Sequence, residues 1–406
     1  MFQNNSKLDV ILFLILLLPV AIIIGQAAIS LIFLCVFIIF FIKFNKINFF
    51  DKAENFFLIF FFSIIFFSTF FNQDFENFKS KNVISSVLYF KFLFLYFLIL
   101  QIKINDNFYK NLKIILSVSS LVMVFVIFDT SYQYFNPDKL DIFGYKATLD
   151  NSNRLTGPFG SDEAIPGSFL TKICFVSLIF VNFFLFNYLK NKKNKFFIFL
   201  IPLINVIYLS VILITGERIS FLMSILAFLI FFIFINKSKY FFIISAIITF
   251  LLVLFIMSNN HYIKSRYEIL AKFVVSKNYV SIDTEKISEK DLEKKNSINF
   301  LNNQWGAHYL TAIEIFKQKP LIGSGIKGFR TECGKKEFEN IKSLSFYKRC
   351  SSHPHNIYFE IISETGFLGL SSMLIFFSII LIKNLKYILK LKNKGIKNFK
   401  DQIIFA

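Results

Sequence analysis

Long apolar runs recur along this chain of 406 residues, near 9–25, 27–42, 56–71, 83–101, 114–135, 167–189, 196–214, 219–235, 240–258 and 356–382. A bilayer core about 30 Å thick takes about 20 residues of helix to cross. Lipid offers no partner for backbone N–H and C=O, so each run must satisfy its own backbone as a helix. With 55% of residues hydrophobic, no soluble domain can hide this much apolar surface. The expected fold is therefore all-α: a polytopic helical membrane protein with about ten transmembrane helices. The first run is not a cleaved signal, because no small-residue cleavage site follows and the apolar pattern resumes at once.

Lysine placement orients these helices. Lys43, Lys46 and Lys52 fall in one short loop; Lys103, Lys110 and Lys113 in another; Lys190, Lys192, Lys193 and Lys195 in a third; Lys237 and Lys239 in a fourth; and Lys383, Lys386, Lys390, Lys392, Lys394, Lys397 and Lys400 follow the last span. Counted through ten spans, all lie on one side, which the positive-inside rule makes cytoplasmic. The other side, expected to be periplasmic, receives 136–166, the tight turn at Gly216-Glu217-Arg218 and one large loop, 259–355. Three regions follow: 1–258 with nine helices and short loops, 259–355 as the large loop, and 356–406 as the last full helix with a basic cytoplasmic tail. The net charge of +19 is then mostly lysine bias toward anionic headgroups, and no nucleic acid is needed to explain it. The sixty Phe read as lipid-facing filler within the spans.

The large loop is itself divided. Residues 276–299 are charged and polar and read as an exposed helix or a disordered spacer. From Trp305 to Phe316 the pattern turns helical, with Trp305, Tyr309, Ala312, Ile313 and Phe316 on one face. Pro320 and Gly323-Ser-Gly325 break it. The run Pro320–Arg330 lacks the Gly-Lys-Ser/Thr ending of a nucleotide loop, and no strand precedes it. Cys333 and Cys350 both lie in this loop, on the side inferred to be oxidising, where a disulfide is expected. Cys35 and Cys174 lie within apolar spans. No ligand spacing such as C-x-x-C supports a metal site.

Polar chemistry concentrates at three places. His353-Pro-His355-Asn356 closes the loop at the mouth of the last span, followed by Gly366 and Gly369, a spacing that lets another helix approach closely. Thr215-Gly-Glu217-Arg218 is a turn between two spans, where an arginine either snorkels to headgroups or grips an anion, and Glu217 beside it is placed to pair with it. Arg154-Leu-Thr-Gly-Pro-Phe-Gly160 is a Gly/Pro turn former. Among span interiors Asp129 is the main charged exception.

The His355-Asn356 pair, followed after nine residues by Gly366-x-x-Gly369, resembles the signature of the O-antigen ligase and O-antigen polymerase family of bacterial membrane glycosyltransferases. The Thr215-Gly-x-Arg218 turn, the Pro-Leu-Ile-Gly-x-Gly turn at 320–325 and the Arg154-x-x-Gly-x-Phe-Gly160 stretch are similar to that family as well. The resemblance implies transfer of a glycan from an undecaprenyl-pyrophosphate-linked donor to a hydroxyl, without cofactor and without metal. It implies His355 as general base and Arg218 as pyrophosphate clamp. Asn356, His353, Arg154, Arg330 and His308 are implied as substrate contacts. The expected partners are a lipid-linked oligosaccharide donor, a lipid A-core or glycan acceptor, and the membrane; the expected place is the bacterial inner membrane, with the active site facing the periplasm.

Within the resemblance, ligase is favoured, with polymerase and protein O-oligosaccharyltransferase as alternatives. A polyprenyl-lipid-linked glycan transporter is the non-enzyme reading. Transporters place charges or broken helices at mid-bilayer, whereas here the polar chemistry sits in a large outer loop. The final run Lys400–Ala406 begins an apolar stretch too short to span, and since the family carries further helices here, the end reads as truncated.

Overall fold

The structure, a computed structural model, describes residues 6–44, 49–72, 81–102, 106–147, 154–160, 164–190, 199–234, 239–261, 263–265, 267, 303–338, 341, 343 and 345–394. The expected polar spacer 276–299 and the closing run 400–406 lie outside them. The described residues form helices and turns with no strand, apart from one isolated bridge between Leu140 and Lys146.

The ten expected spans all coincide with helices: α1 (Ser6–Ile24), α2 (Gln26–Lys43), α3 (Ala53–Phe71), α4 (Lys81–Leu100), α5 (Asp106–Phe135), α6 (Pro166–Phe169) continuing through a π turn at Leu170–Cys174 into α7 (Phe175–Lys190), α8 (Leu200–Ile214), α9 (Arg218–Phe234), α10 (Lys239–Asn259) and a last long helix at Ile357–Lys394. Among the described residues seven stretches are long and apolar enough to cross a membrane, and three of the expected spans are shorter apolar helices. The chain is a polytopic helical membrane protein. Phe56, Phe60, Phe67 and Phe71 on α3 are exposed, as expected where lipid is the solvent. Between α10 and the last helix lie α11 (Gln304–Gln318) and α12 (Gly328–Glu332), and the last helix is α13.

By contacts the chain divides into two compact units, one of Met1–Val36, Ile102–Leu270 and Tyr387–Ala406, the other of Phe37–Gln101 and Ala271–Lys386. The first unit is built on α5, α7 and α8, with Met123, Val126, Leu170, Cys174, Leu178, Tyr208 and Ile212 in its core. Polar side chains bridge its helices. The Tyr208 hydroxyl donates to the Leu170 carbonyl in the π turn (2.7 Å), and Asn182 donates to Asn205 (2.7 Å). Hydrogen bonds of this kind contribute about 0.6–2 kcal/mol between membrane helices.

In the second unit α3 packs on α4, with Tyr96 donating to Asn55 (3.0 Å). Lys383 of α13 reaches Glu54 at 2.6 and 2.7 Å. The feature that shapes this unit is a break in α13. Gly366 has φ +65, and the 320–325 turn enters the gap. Ser324 N–H donates to the Ser363 carbonyl (2.9 Å) and Gly325 N–H to that of Glu364 (2.8 Å), while Phe367 and Leu368 N–H donate back to Pro320 (2.8 Å) and Leu321 (3.1 Å). From α3, Ser68 donates to the Glu364 carbonyl (2.9 Å) and Thr69 Oγ1 accepts from Ile326 N–H (2.9 Å). The Gly-x-x-Gly spacing is therefore corrected: Gly366 admits no second helix but meets the Leu321–Ile322 backbone, and a Cβ at Gly369 would meet Thr365 of its own helix. A helix opened inside the membrane needs its freed backbone groups satisfied by neighbouring protein, and this turn does that.

Candidate functional site

Each unit holds part of the polar chemistry read from the sequence. In the second unit, α11 starts at Asn303, whose side chain accepts from Gly306 N–H (3.0 Å). The expected apolar face of this helix is also corrected. The buried positions are Gly306, Ala307, His308, Thr311, Ala312 and Ile315, so of the expected set only Ala312 is buried. Small residues let α11 lie close against Phe329, Cys333 and Phe338, and the larger rings flank the seam. Tyr309 stacks on Phe359 at 4.5 Å, and Trp305 meets the ring of His355 edge-on at 4.7 Å.

His355 is the centre of a ring cluster. His308 stacks against it at 5.2 Å, and His353 lies at 4.3 Å. Its backbone is left-handed, φ +57, a region costly for a residue with a side chain and concentrated at functional sites. Partial burial by these rings, then repulsion from His353 and His308, pushes His355 down to about 4. The residue stays exposed to solvent, and with its pKa lowered His355 is neutral at pH 7. His308 is 1% exposed. Burial lowers it, against a hydrogen bond to the Lys348 backbone, and its Nδ1 has no partner among the described residues.

Asn356 follows as a helix cap. Its side-chain oxygen accepts from Tyr358 N–H (2.9 Å) and Phe359 N–H (3.4 Å), the usual N-cap arrangement, which fixes the direction in which α13 leaves His355. The segment before it is fastened too. Cys333 and Cys350 form a disulfide with Cα atoms 5.3 Å apart, Arg349 donates to the Cys333 carbonyl (2.9 Å), and Ser352 Oγ lies 2.9 Å from His353 Nδ1. Arg330, exposed on α12, donates to the Ser352 carbonyl (3.2 Å).

Two carboxylates in this unit escaped the sequence reading. Glu360 and Glu364 stand one and two turns into α13, and Glu364 is only 2% exposed. Glu364 accepts from Phe329 N–H (3.4 Å) at the start of α12, so it helps seat the helix that carries Arg330. The signal was present: ionisable residues inside an apolar span are functional candidates by default, and Asp129 was not the main exception.

In the first unit the Thr215–Glu217 turn is built on Gly216, φ +76, with Thr215 Oγ1 donating to Ile212 (2.7 Å). Glu217 has partners beyond the turn itself. Its carboxylate accepts Gly167 N–H (2.7 Å) and the Ser220 hydroxyl (2.9 Å). Burial raises its pKa, against those hydrogen bonds and the charge of Arg154. Gly167 permits this approach, since a Cβ there would stand 2.7 Å from Thr215 Oγ1 and 3.1 Å from Glu217 Cδ. Arg154 thus acts on the turn that carries Arg218, bringing these two cations to one neighbourhood.

The Arg154–Gly160 segment is held by Gln133, fully buried on α5. Gln133 Oε1 accepts from Thr156 N–H (2.9 Å) and Gly157 N–H (3.0 Å), and its Nε2 donates to Thr156 Oγ1 (3.1 Å). No sequence pattern marked Gln133, because its partners are backbone groups some 23 residues away. Among the described residues no group of three or more His, Cys, Asp or Glu is placed to hold a metal ion.

No match to this chain was found among curated proteins. Residues 203–374 match the family described as O-Antigen ligase, a range that takes in Arg218, the α11–α12 segment, the histidine cluster and the α13 break, and leaves Arg154 outside. This match over residues 203–374 makes the chain similar to the O-antigen ligase family and supports glycosyl transfer of that general type.

Proposed function

We propose that this protein transfers a glycan from an undecaprenyl-pyrophosphate-linked donor to a hydroxyl of lipid A-core, as an O-antigen ligase at the periplasmic face of the bacterial inner membrane. The observation that carries the reading is His355: a neutral, solvent-touching imidazole in a left-handed backbone, held by three rings at the mouth of α13 within the ligase family domain. The Cys333–Cys350 disulfide supports an oxidising compartment for this segment, in agreement with the lysine asymmetry.

In the step proposed, the acceptor oxygen attacks the anomeric carbon of the donor sugar. The C–O bond to the acceptor forms as the bond to pyrophosphate breaks, and the acceptor proton passes to His355. Undecaprenyl pyrophosphate leaves with the bonding pair, and Arg218 holds its growing charge. A guanidinium suits this task because its planar fork of donors matches phosphate oxygens and stays charged when partly desolvated. Arg154, acting on the same turn, supplies a second cation. The donor brings its own leaving group and the arginines supply positive charge, so the step as written runs through no metal. His353, His308, Arg330 and Asn356 shape and hold the base and its surroundings.

Deleting the gene and separating the lipopolysaccharide tests the reading. Core without O-chain, together with polymer retained on the lipid carrier, is the result expected of a ligase. Single capped units would assign the chain to polymerisation, and unchanged lipopolysaccharide with unglycosylated protein to protein O-glycosylation. Donor lipid accumulating on the cytoplasmic side would mark a transporter.

A further inference from the structure

Trp305 touches the proposed base, and its open surface has no part in the transfer step as written. It is the one tryptophan among 406 residues, in a chain whose aromatic filler is sixty Phe. It opens α11 just after the Asn303 cap, and it stays off the seam where the next three residues, Gly306, Ala307 and His308, are buried. The residue is 41% exposed.

A lone exposed apolar residue needs no explanation, and a tryptophan at a membrane surface is ordinarily an interface anchor. Two relationships set this one apart. Its ring neighbours among the described residues are both histidines, His355 at 4.7 Å and 84°, and His308 at 6.0 Å and 81°. One helical turn on, Tyr309 stacks on Phe359 at 4.5 Å, so two successive ring pairs hold the start of α11 against the start of α13. The second relationship is exposure: His355 is itself open to solvent, so the indole and the base share one stretch of surface.

Chemistry names the occupant of that surface. A base takes a proton from a hydroxyl within about 2.6–3.2 Å. The sugar that presents this hydroxyl to His355 is thereby brought within reach of an indole 4.7 Å away. A pyranose carries hydroxyls round its rim and C–H groups on its faces, and those faces are apolar surface that an aromatic ring covers. The indole N–H adds a donor for a rim hydroxyl, which no phenyl ring offers. Pyrophosphate gains nothing here, because the face of an aromatic ring is negative. We propose that Trp305 is a sugar-binding platform for the acceptor saccharide, stacking its terminal ring so that the attacking hydroxyl lies at His355. This rests on the transfer reading and adds to it a residue that selects a saccharide as acceptor.

Because the chain has one tryptophan, emission excited beyond tyrosine absorption reports Trp305 without any substitution. The full chain in detergent is titrated with core oligosaccharide freed from lipid A, with no donor present, so that no turnover occurs. Emission should shift or quench to a saturable end point, and inorganic pyrophosphate should leave it unmoved. In transfer assays the acceptor KM should rise about three- to tenfold in Trp305→Phe, which keeps a ring beside His355, and further in Trp305→Leu, with the donor KM near wild type. Emission indifferent to core oligosaccharide, in a preparation that transfers glycan, overturns the platform and leaves the transfer reading standing. Emission that answers only to lipid-linked donor gives the ring to the other substrate, and a loss of kcat with both KM values unmoved makes Trp305 a support for the base. Either result sinks the proposal. No transfer to any acceptor removes the transfer reading and the platform with it.

Discussion

Gly366 turns left-handed where the backbone of Leu321 crosses α13, and a Cβ on Gly366 would overlap the Leu321 carbonyl. Neither backbone can move freely, because Phe367 and Leu368 donate to Pro320 and Leu321 at 2.8 and 3.1 Å. Gly366→Ala should therefore destabilise by about 3 kcal/mol or more, since a left-handed residue with a side chain already costs about 1–3 kcal/mol. Gly369→Ala meets only the Thr365 side chain, which can rotate, and should fold with a smaller loss. Thermal unfolding in detergent compares them. Equal losses would return both glycines to an ordinary helix-packing role.

The contrast between those glycines also shows what the sequence made legible. Span positions could be read because lipid forces every long apolar run to be a helix, and that rule needs no knowledge of neighbours. The His355-Asn356 pair and the Arg218 turn stand out in the sequence because their spacing is local, and their roles are proposals. The break at Gly366 could not be read, since it depends on a turn some 45 residues earlier in the chain and only pairing in space reveals it. The face of α11 was misread for a related reason: Trp305 and Tyr309 look like core by hydrophobicity, but their rings are taken up by His355 and Phe359 while Ala307 and Ala312 form the close seam.

The disulfide between Cys333 and Cys350 closes a loop of sequence separation 17 that contains Lys348, whose backbone holds His308. Closing a loop of this size contributes about 3 kcal/mol in the chain-entropy description. Cys350→Ser should lower the midpoint accordingly and reduce transfer, through a looser approach to His353. Mass spectrometry of unreduced peptides should show the bridge in native protein. Finding both thiols free in freshly isolated membranes would remove the bridge from this account.

The proposed topology, argued from lysine asymmetry, has both ends of the span set cytoplasmic and 259–355 opposite. A reporter active only in the periplasm should give signal when fused after residue 300 and none after residue 395. The reverse pattern would place His355 and its neighbours in the cytoplasm, where neither the disulfide nor the proposed step belongs.

Arg218 opens α9 from a turn whose shape is set by Gly216 and by the Glu217 bonds to Gly167 and Ser220. If it clamps pyrophosphate, Arg218→Lys keeps the charge and loses the two-pronged geometry, so donor use should fall by about tenfold or more while Arg218→Ala falls further. Initial rates against donor concentration measure this. Near-normal transfer by Arg218→Ala would leave the arginine a headgroup anchor.

His355 provides the sharpest test, because its acid–base behaviour departs from that of a free imidazole. A base works only when unprotonated. A group lowered to about 4 stays unprotonated through the whole range where an ordinary histidine, near about 6.5, would already be charging. The kcat/KM profile of the free enzyme should thus stay flat as pH falls from about 7.5 to about 5.5, and decline only on approach to the lowered value. Replacing His353 by Gln removes the nearest repelling imidazole, so the acid limb should move toward higher pH. His355→Ala should lose about 10²–10⁴-fold in turnover with donor binding retained. An acid limb at about 6.5 in wild type would show that the ring cluster leaves the base unperturbed, and turnover within a few-fold of wild type for His355→Ala would remove it from the chemistry altogether.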